Sequence, residues 1–453
     1  MERIHLSEHF TYKKLFKFVL PSIVMMVFIS IYGIVDGFFV SNFAGEIPFA
    51  ALNLIYPIIM ILGAVGFMLG IGGNAVVSKA LGEGDNARAN RYFSMLLYVT
   101  FVVGVILAAV GMLTVRPIAK LLASAEKNLT LEEKAELVDY CVVYARIILA
   151  ALPMYMAQNA FQGFFVTAEK ARLGLFVTIA AGVCNIVLDA LFVVGFQGGL
   201  VGAAVATALS QAIGGVLPLF YFFRKNDSLL RLGKTYVEWK VLGKVCINGL
   251  SELLSNISLS IVTILYNAQL MRYVGLNGVS AYGIMMYIGF IFIAVFLGYS
   301  IGISPIVGYD YGADNREELK NIFVKSIFLS AIVGLVMTGI ACLFASPLAQ
   351  IFVRSDRELL ALTTRGLRIY SLSFILAGLN IFASSFFTAL SNGTLSLLIS
   401  LFRTFLCQVI AVLLLPLLWQ VDGIWLAAFA AEFVTMFLTA TTLWLNKKRY
   451  GYL

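Results

Sequence analysis

PSIVMMVFISIYGIVDGFFVSNFAGE, residues 21–46, carries a single charge, Asp36, before Glu46. A bilayer's hydrocarbon core takes about 20 mainly apolar residues as helix, so this stretch is long enough to cross it. A carboxylate within such a span costs at least about 2.5–3.5 kcal/mol on insertion scales. The stretch therefore poses two questions: how many more like it the chain holds, and what Asp36 is for.

Working outward, the 453 residues are 61% apolar and only 12% charged. A soluble globular chain runs about 45–50% apolar and about 25% charged. That excludes an ordinary soluble enzyme, a disordered protein and a nucleic-acid binder; the apolar surplus must face lipid. The formal net charge of +8 fits Lys and Arg in loops that meet anionic lipid and set orientation. The five cysteines (Cys141, Cys184, Cys246, Cys342, Cys407) have neither disulfide-framework nor metal-site spacing. His5 and His9 both precede the first span, which leaves no His-based site within the membrane. The basic start (Arg3, Lys13, Lys14, Lys17) leads into an apolar run too long for a signal peptide, so the N-terminus is expected in the cytoplasm.

The apolar pattern predicts an all-α polytopic membrane protein with twelve spans, near 15–43, 47–80, 92–115, 137–166, 172–197, 199–223, 242–273, 279–309, 321–345, 363–390, 394–419 and 422–446. These runs are too long and too uniformly apolar for the alternating strands of a membrane barrel. With the N-terminus inside, the inner segments hold most of the Lys and Arg, among them Lys79, Arg88, Arg91, Arg231, Lys240, Arg316 and Lys447-Lys448-Arg449. The longest outer loop is acidic instead: Glu126, Glu132, Glu133, Glu136 and Asp139. Both termini are thus expected in the cytoplasm of a multi-pass plasma-membrane protein.

The halves resemble each other. At an offset of 230 positions Gly45 meets Gly275, Gly82 meets Gly312, and Arg116-Pro117-Ile118-Ala119 meets Ser346-Pro347-Leu348-Ala349. GEGDNARA (82–89) parallels GADNREEL (312–319) with one gap, and FFVTA (164–168) overlies FFTAL (386–390) at a slightly shorter offset. Six spans per half give equivalent helices the same sense in the membrane. The expected architecture is two six-helix lobes related by a parallel pseudo-two-fold repeat: an N-lobe of residues 1–223, a cytoplasmic linker at 224–240 and a C-lobe of 241–453. Such repeats mark transporters that bind substrate between rocking lobes.

Four acids lie inside the spans: Asp36, Asp189, Glu252 and Glu432. Tyr32 precedes Asp36 by one helical turn, with Gly33 and Gly37 beside it to admit a close helix or ion. Asp189 follows Asn185 by one turn, and the sixth span offers Thr207 and Gln211. The fourth span adds Gln158, Asn159 and Gln162. If these converge, two carboxyls with amides and hydroxyls can take up protons, because burial and a neighbouring negative charge both penalise ionisation. Equally, their oxygens can hold Na⁺, a hard cation. Helix glue is the plain alternative. In the second half, Glu252, with Asn256, Tyr266 and Asn267 beyond it, could line a cavity that attracts cations, while Glu432 could pair with Arg403. Met25, Met26, Tyr282, Met285, Met286 and Tyr287 suit a deformable site for flat, apolar or cationic ligands. Pro21 and Pro153 can bend the first and fourth spans. There is no GxxxxGK[ST] loop, which leaves ion gradients as the energy source.

Taken together, residues 21–46, YPIIMILGAVGFMLGIGGNAVVSKALGEGD (56–85) and PMYMAQNAFQGFF (153–165) resemble the multidrug and toxin extrusion (MATE) family over nearly the whole chain. The likeness is to the bacterial branch near the Gram-positive multidrug exporters. In relatives, an N-lobe cation site uses a first-span Asp, a fifth-span Asn and Asp, and a sixth-span Thr. That implies ion coupling at Asp36, Asn185, Asp189 and Thr207, with Tyr32 nearby; the first four would be the metal ligands if Na⁺ is the coupling ion. Another branch pairs a tenth-span acid with the seventh-span one. Here RIYSLSFILAGLNIFASSFFTAL (368–390) has no acid, so coupling is assigned to the N-lobe.

The resulting expectation is a secondary active antiporter, not an enzyme, exporting cationic or amphipathic drugs in exchange for H⁺ or Na⁺. It would use no cofactor, contact lipid bilayer and small-molecule drugs or organic cations but no nucleic acid, and act as a monomer. Its substrate cavity is expected to include Gln158, Asn159, Gln162, Glu252, Asn256, Tyr266, Tyr282 and Met285. A lipid-linked saccharide flippase of the same wider superfamily would want cationic cavity residues, whereas Arg403 stands as an isolated span cation. A membrane-embedded enzyme would want a nucleophile–base set, and a passive channel would have no use for paired lobes.

Overall fold

The computed structural model describes residues 4–125, 130–353 and 356–453; Glu126, counted in the acidic outer loop, lies outside them. No strand occurs among the described residues. The helices are α1 (Tyr12–Phe43), α2 (Glu46–Gly82), α3 (Asn86–Ala125), α4 (Leu131–Thr167), α5 (Ala171–Asp189), α6 (Gly199–Phe223), α7 (Trp239–Tyr273), α8 (Leu276–Gly312), α9 (Arg316–Leu343), α10 (Ala345–Gln350), α11 (Arg357–Ser371), α12 (Phe374–Ala389), α13 (Gly393–Leu401) and α14 (Cys407–Tyr450).

Among the described residues, eleven helical stretches are long and apolar enough to span a membrane. The last, Gly393–Tyr450, is 58 residues long, about 87 Å at 1.5 Å per residue, far more than one crossing needs. It breaks at Trp419–Gln420, where Gln420 takes φ 50° and ψ −124°. The break makes two crossings of it and brings the total to twelve. It falls where the sequence predicts the gap between spans eleven and twelve.

The helices outrun the predicted spans. α2 has 37 residues, about 55 Å against a hydrocarbon core of about 30 Å. Apolar composition marks only the part in lipid, whereas backbone hydrogen bonding carries the helix on into the polar region. Local signals then set the ends. Thr130 and Glu133 form a capping box at the start of α4, and Asn315 and Asp356 cap α9 and α11. Neither Pro21 nor Pro153 divides its helix; α1 and α4 run through them.

Of the ten described residues with φ in the left-handed region, eight fall in pairs at the offsets of the sequence repeat; Gly199 and Gly451 do not. Gly45 and Gly275 (φ 94° and 83°) start α2 and α8; Gly84 and Asp314 (78° and 51°) end the following turns. Glu169 and Ser391 (57° and 58°) make another such pair, as do Gln197 and Gln420 (53° and 50°).

The two halves meet through glycines. On α8, Gly298 abuts Ile23 and Gly302 abuts Val19, both on α1. Gly72 and Gly249 join α2 to α7, and Gly82 and Gly312 join α2 to α8; at these four a Cβ would strike a backbone carbonyl of the facing helix. All lie toward the end of the bundle that carries both termini, where Leu6, Phe10, Tyr450 and Tyr452 share one apolar cluster. At the other end of α1 the helices stand apart. Gly33 has no neighbour within 4 Å of a would-be Cβ, and Gly37 has only the Tyr287 hydroxyl at 4.0 Å. These two glycines border open space rather than admitting a close helix, because α1 leans on α8 only near its start.

Two further straps close that end. Residues 5–10 bridge the halves: Glu169 receives the Leu6 N–H at 2.8 Å and lies 2.9 Å from His5 Nδ1. Glu318 receives the Phe10 N–H at 2.9 Å and lies 2.6 Å from His9 Nδ1. The linker after α6 is an extended strand of coil pinned along α3: the Arg231 N–H donates to Asn90 Oδ1 at 2.6 Å, and Arg91 pairs with Glu238 at 3.1 Å.

Candidate ion site and cavity

Asp36, near the middle of the second half of α1, meets Asn185 and Asp189 of α5 and Thr207 of α6. The one-turn spacing of Asn185 and Asp189 puts both on the same face of α5. Asp189 ends the regular α-helix; residues Ala190–Gly195 continue as a π-turn, a widening that often marks functional positions. The Thr207 hydroxyl donates to Asp36 Oδ1 at 3.4 Å. Asp189 is fully buried and Asn185 nearly so. Among the described residues no donor hydrogen-bonds either Asp189 oxygen, and the Asn185 amide nitrogen also has no acceptor.

Buried carboxyl oxygens without donors are costly. A shared proton, or a monovalent cation held among carboxyl, amide and hydroxyl oxygens, would remove that cost. Among the described residues no group of three or more His, Cys, Asp and Glu is placed to hold a metal, so the donor set is two acids plus neutral oxygens. Tyr32, one turn before Asp36, stacks obliquely on Phe28 with ring centres 5.9 Å apart.

A second feature lies in the other half. A cavity of about 310 Å³ is walled by α7, α8, α12, α13 and α14, with Asn74 of α2 and Gly163 of α4 closing one side. Glu252, Asn256, Tyr266 and Tyr282 are on its wall as expected from sequence. Tyr266 and Tyr282 stack at 4.8 Å, and the Tyr266 hydroxyl donates to Gln408 Oε1 at 2.9 Å.

The other residues expected at the cavity lie off this wall. Met285 is buried against Gly366 and Trp425, and Met286 lines the wall in its place; adjacent helical residues point about 100° apart. Gln158 packs on Gly214 of α6, Asn159 donates to the Gly63 carbonyl at 3.4 Å, and Gln162 is buried. None of the three is on the cavity wall, although Gly163, one turn after Asn159, closes one side of it.

Arg403 is not isolated. Its Nη1 lies 3.3 Å from Glu432 Oε1, and Asn380 donates to Glu432 Oε2 at 2.7 Å. Asn380 in turn accepts from Thr439 at 2.8 Å. Sequence reading raised the Arg403–Glu432 pair but missed Asn380, Thr439 and Gln408, whose partners lie on other helices.

A sequence profile described as MatE matches residues 21–191 and 251–414. The chain belongs to the MatE family. Among curated relatives, it is 24% identical to the "Multidrug export protein MepA" of Staphylococcus haemolyticus over 86% of this chain and 84% of that one. The protein of the same name from Staphylococcus aureus (strain MSSA476) is 22% identical, over 84% and 82%. Among solved structures, "Crystal structure of MATE in complex with MaL6" superposes with a TM-score of 0.89 at 23% identity, covering 98% of both chains. "Crystal structure of MATE in the straight conformation" gives the same score and coverage. These likenesses establish a MatE fold for a multi-pass membrane protein.

Proposed function

We propose that this MatE-family chain is a secondary active multidrug efflux antiporter that exports cationic or amphipathic compounds in exchange for H⁺ or Na⁺. The observation that carries the reading is the meeting of Asp36 with the fully buried Asp189, whose oxygens have no donor. Two acids kept in a dry pocket at that cost need a counter-ion, and an exchangeable one gives the pocket two states of different energy. The names of the staphylococcal relatives support multidrug export.

In this reading residues 1–223 and 241–453 act as two lobes related by a parallel pseudo-two-fold, with 224–240 as the cytoplasmic linker and both termini in the cytoplasm. The paired left-handed turns at matching offsets support the repeat. The basic run Lys447-Lys448-Arg449 at the end of α14 supports the orientation. The glycine contacts and the N-terminal strap then seal the cytoplasmic side, and the gap beside Gly33 and Gly37 opens outward. The ion enters the Asp36–Asp189 pocket from that gap; Thr207 and Asn185 supply neutral oxygens. Because α1 bears Asp36 and also leans on α8, occupancy of the pocket biases how α1 packs and hence which side is open. Exchange follows if ion and drug favour different states, since a ligand shifts an equilibrium only by its differential affinity.

The test is substrate exchange in proteoliposomes with the Na⁺ and pH gradients imposed separately, comparing Asp36→Asn and Asp189→Asn with the parent protein. Both variants should insert normally and lose gradient-driven transport. Undiminished transport in both would overturn the proposal.

A further inference from the structure

The charged groups on the cavity wall are Glu252, Arg403 and Glu432, and they are not equivalent. Glu432 has both oxygens engaged, one by Arg403 and one by Asn380, whose amide also donates to the Glu432 carbonyl at 3.0 Å. Asn380 is itself fixed by Thr439. Glu252, on the opposite helix α7, has no hydrogen bond or ion pair to its carboxyl among the described residues, and Arg403 is the charge that acts on it across the cavity. Arg403 keeps its Nε without an acceptor. One guanidinium thus shares the cavity wall with two carboxylates and bonds to one of them.

We propose that Arg403 sets the charge class of the exported compound. By compensating Glu432 it leaves Glu252 as the single uncompensated carboxylate, so the cavity accepts aromatic monocations and disfavours dications. The stacked Tyr266–Tyr282 pair, with Tyr370 and Phe290 also on the wall, supplies the flat aromatic surface for the ring system. The volume of about 310 Å³ lies at the small end of ligand pockets and suits a compact ligand with one charged centre. A second cationic centre would have to displace Arg403 from Glu432, leaving two positive charges in one enclosed space. This inference deepens the export reading and rests on it.

The test uses equilibrium binding of tetraphenylphosphonium (monocation) and a bis-amidine of two aryl rings (dication) to the purified full chain, with proteoliposome transport of both measured alongside. Glu432→Gln leaves Arg403 to compensate Glu252, and should weaken monocation binding roughly tenfold, about the worth of one charge-assisted hydrogen bond. Arg403→Gln leaves two bare carboxylates, and should shift the dication-to-monocation affinity ratio upward by roughly tenfold or more. The double variant Arg403→Gln, Glu432→Gln should return the ratio to that of the parent, and Arg403→Lys should preserve it. Because removing one partner of a buried pair can strongly destabilise a protein, the isosteric Glu432→Gln and the charge-balanced double variant carry the test if Arg403→Gln does not fold. Monocation affinity unchanged in Glu432→Gln, or an affinity ratio unchanged in a folded Arg403→Gln, overturns the inference even if transport proceeds. Binding that follows the charge series without gradient-driven transport sinks the export reading and leaves the charge rule standing.

Discussion

Gly249 on α7 faces the carbonyl of Met68 on α2 with no room for a Cβ, and the export mechanism requires that contact to form and break. Gly249→Ala therefore penalises one state only. The obstructing atom is backbone, so it cannot rotate away; α2 and α7 must part by about an ångström or distort. Overpacking of this kind costs about 1–3 kcal/mol. Charged to the sealed state alone, it lowers the ratio of sealed to open protein roughly 5- to 150-fold. Ser78, fully buried on α2 against Gly308 of α8, reports the opening. In a background with the five native cysteines replaced, Ser78→Cys should react with a water-soluble maleimide faster by that factor when Gly249→Ala is added. Gly339→Ala on α9 is the control, since a Cβ there meets nothing within 4 Å; it should leave the labelling rate unchanged. Equal labelling rates in the Gly249→Ala and Gly339→Ala proteins would refute the claim that the glycine contacts seal a moving interface.

Three other outcomes are expected. Thr207→Val removes the hydroxyl that donates to Asp36 at 3.4 Å; the ion concentration for half-maximal transport should rise by up to about tenfold, the upper end for a single neutral-donor bond of this length. Gln420→Gly relieves a side-chain residue held at φ 50°, ψ −124°, and should raise the apparent Tm by about 1–2 °C, the scale of a gain of roughly 0.5–1 kcal/mol in a chain this large. Glu318→Ala removes the acceptor of the Phe10 N–H and the partner of His9, so limited proteolysis within residues 4–11 should quicken severalfold; unchanged cleavage would mean that the apolar seating of Leu6 and Phe10 suffices alone.

The sequence by itself determined the fold class and most of the ion pocket. Length and hydropathy suffice for twelve crossings, since lipid forces every backbone group into helix and makes charge rare. That rarity is why Asp36 and Asp189 stood out, and one-turn spacing attached Asn185 and Tyr32 to them. Thr207 came from its helix and from family resemblance, and the structure brings its hydroxyl to Asp36. What only the tertiary structure decided is which faces meet. A helix of uniform hydropathy does not say which side turns to lipid and which to a cavity: Met286 rather than Met285 reaches the wall, and Gln158, Asn159 and Gln162 of α4 lie off it while Gly163 is on it. Nor does hydropathy show the α1–α8 and α2–α7 contacts, which depend on glycines from segments far apart in the chain. Arg403 is the sharpest instance: within its own span it is a lone cation, and only the approach of α14 and α12 gives it Glu432 and gives Glu432 Asn380. Composition records the cost of burying a charge, but the compensation for it is a distance between helices, and that exists only once they have packed.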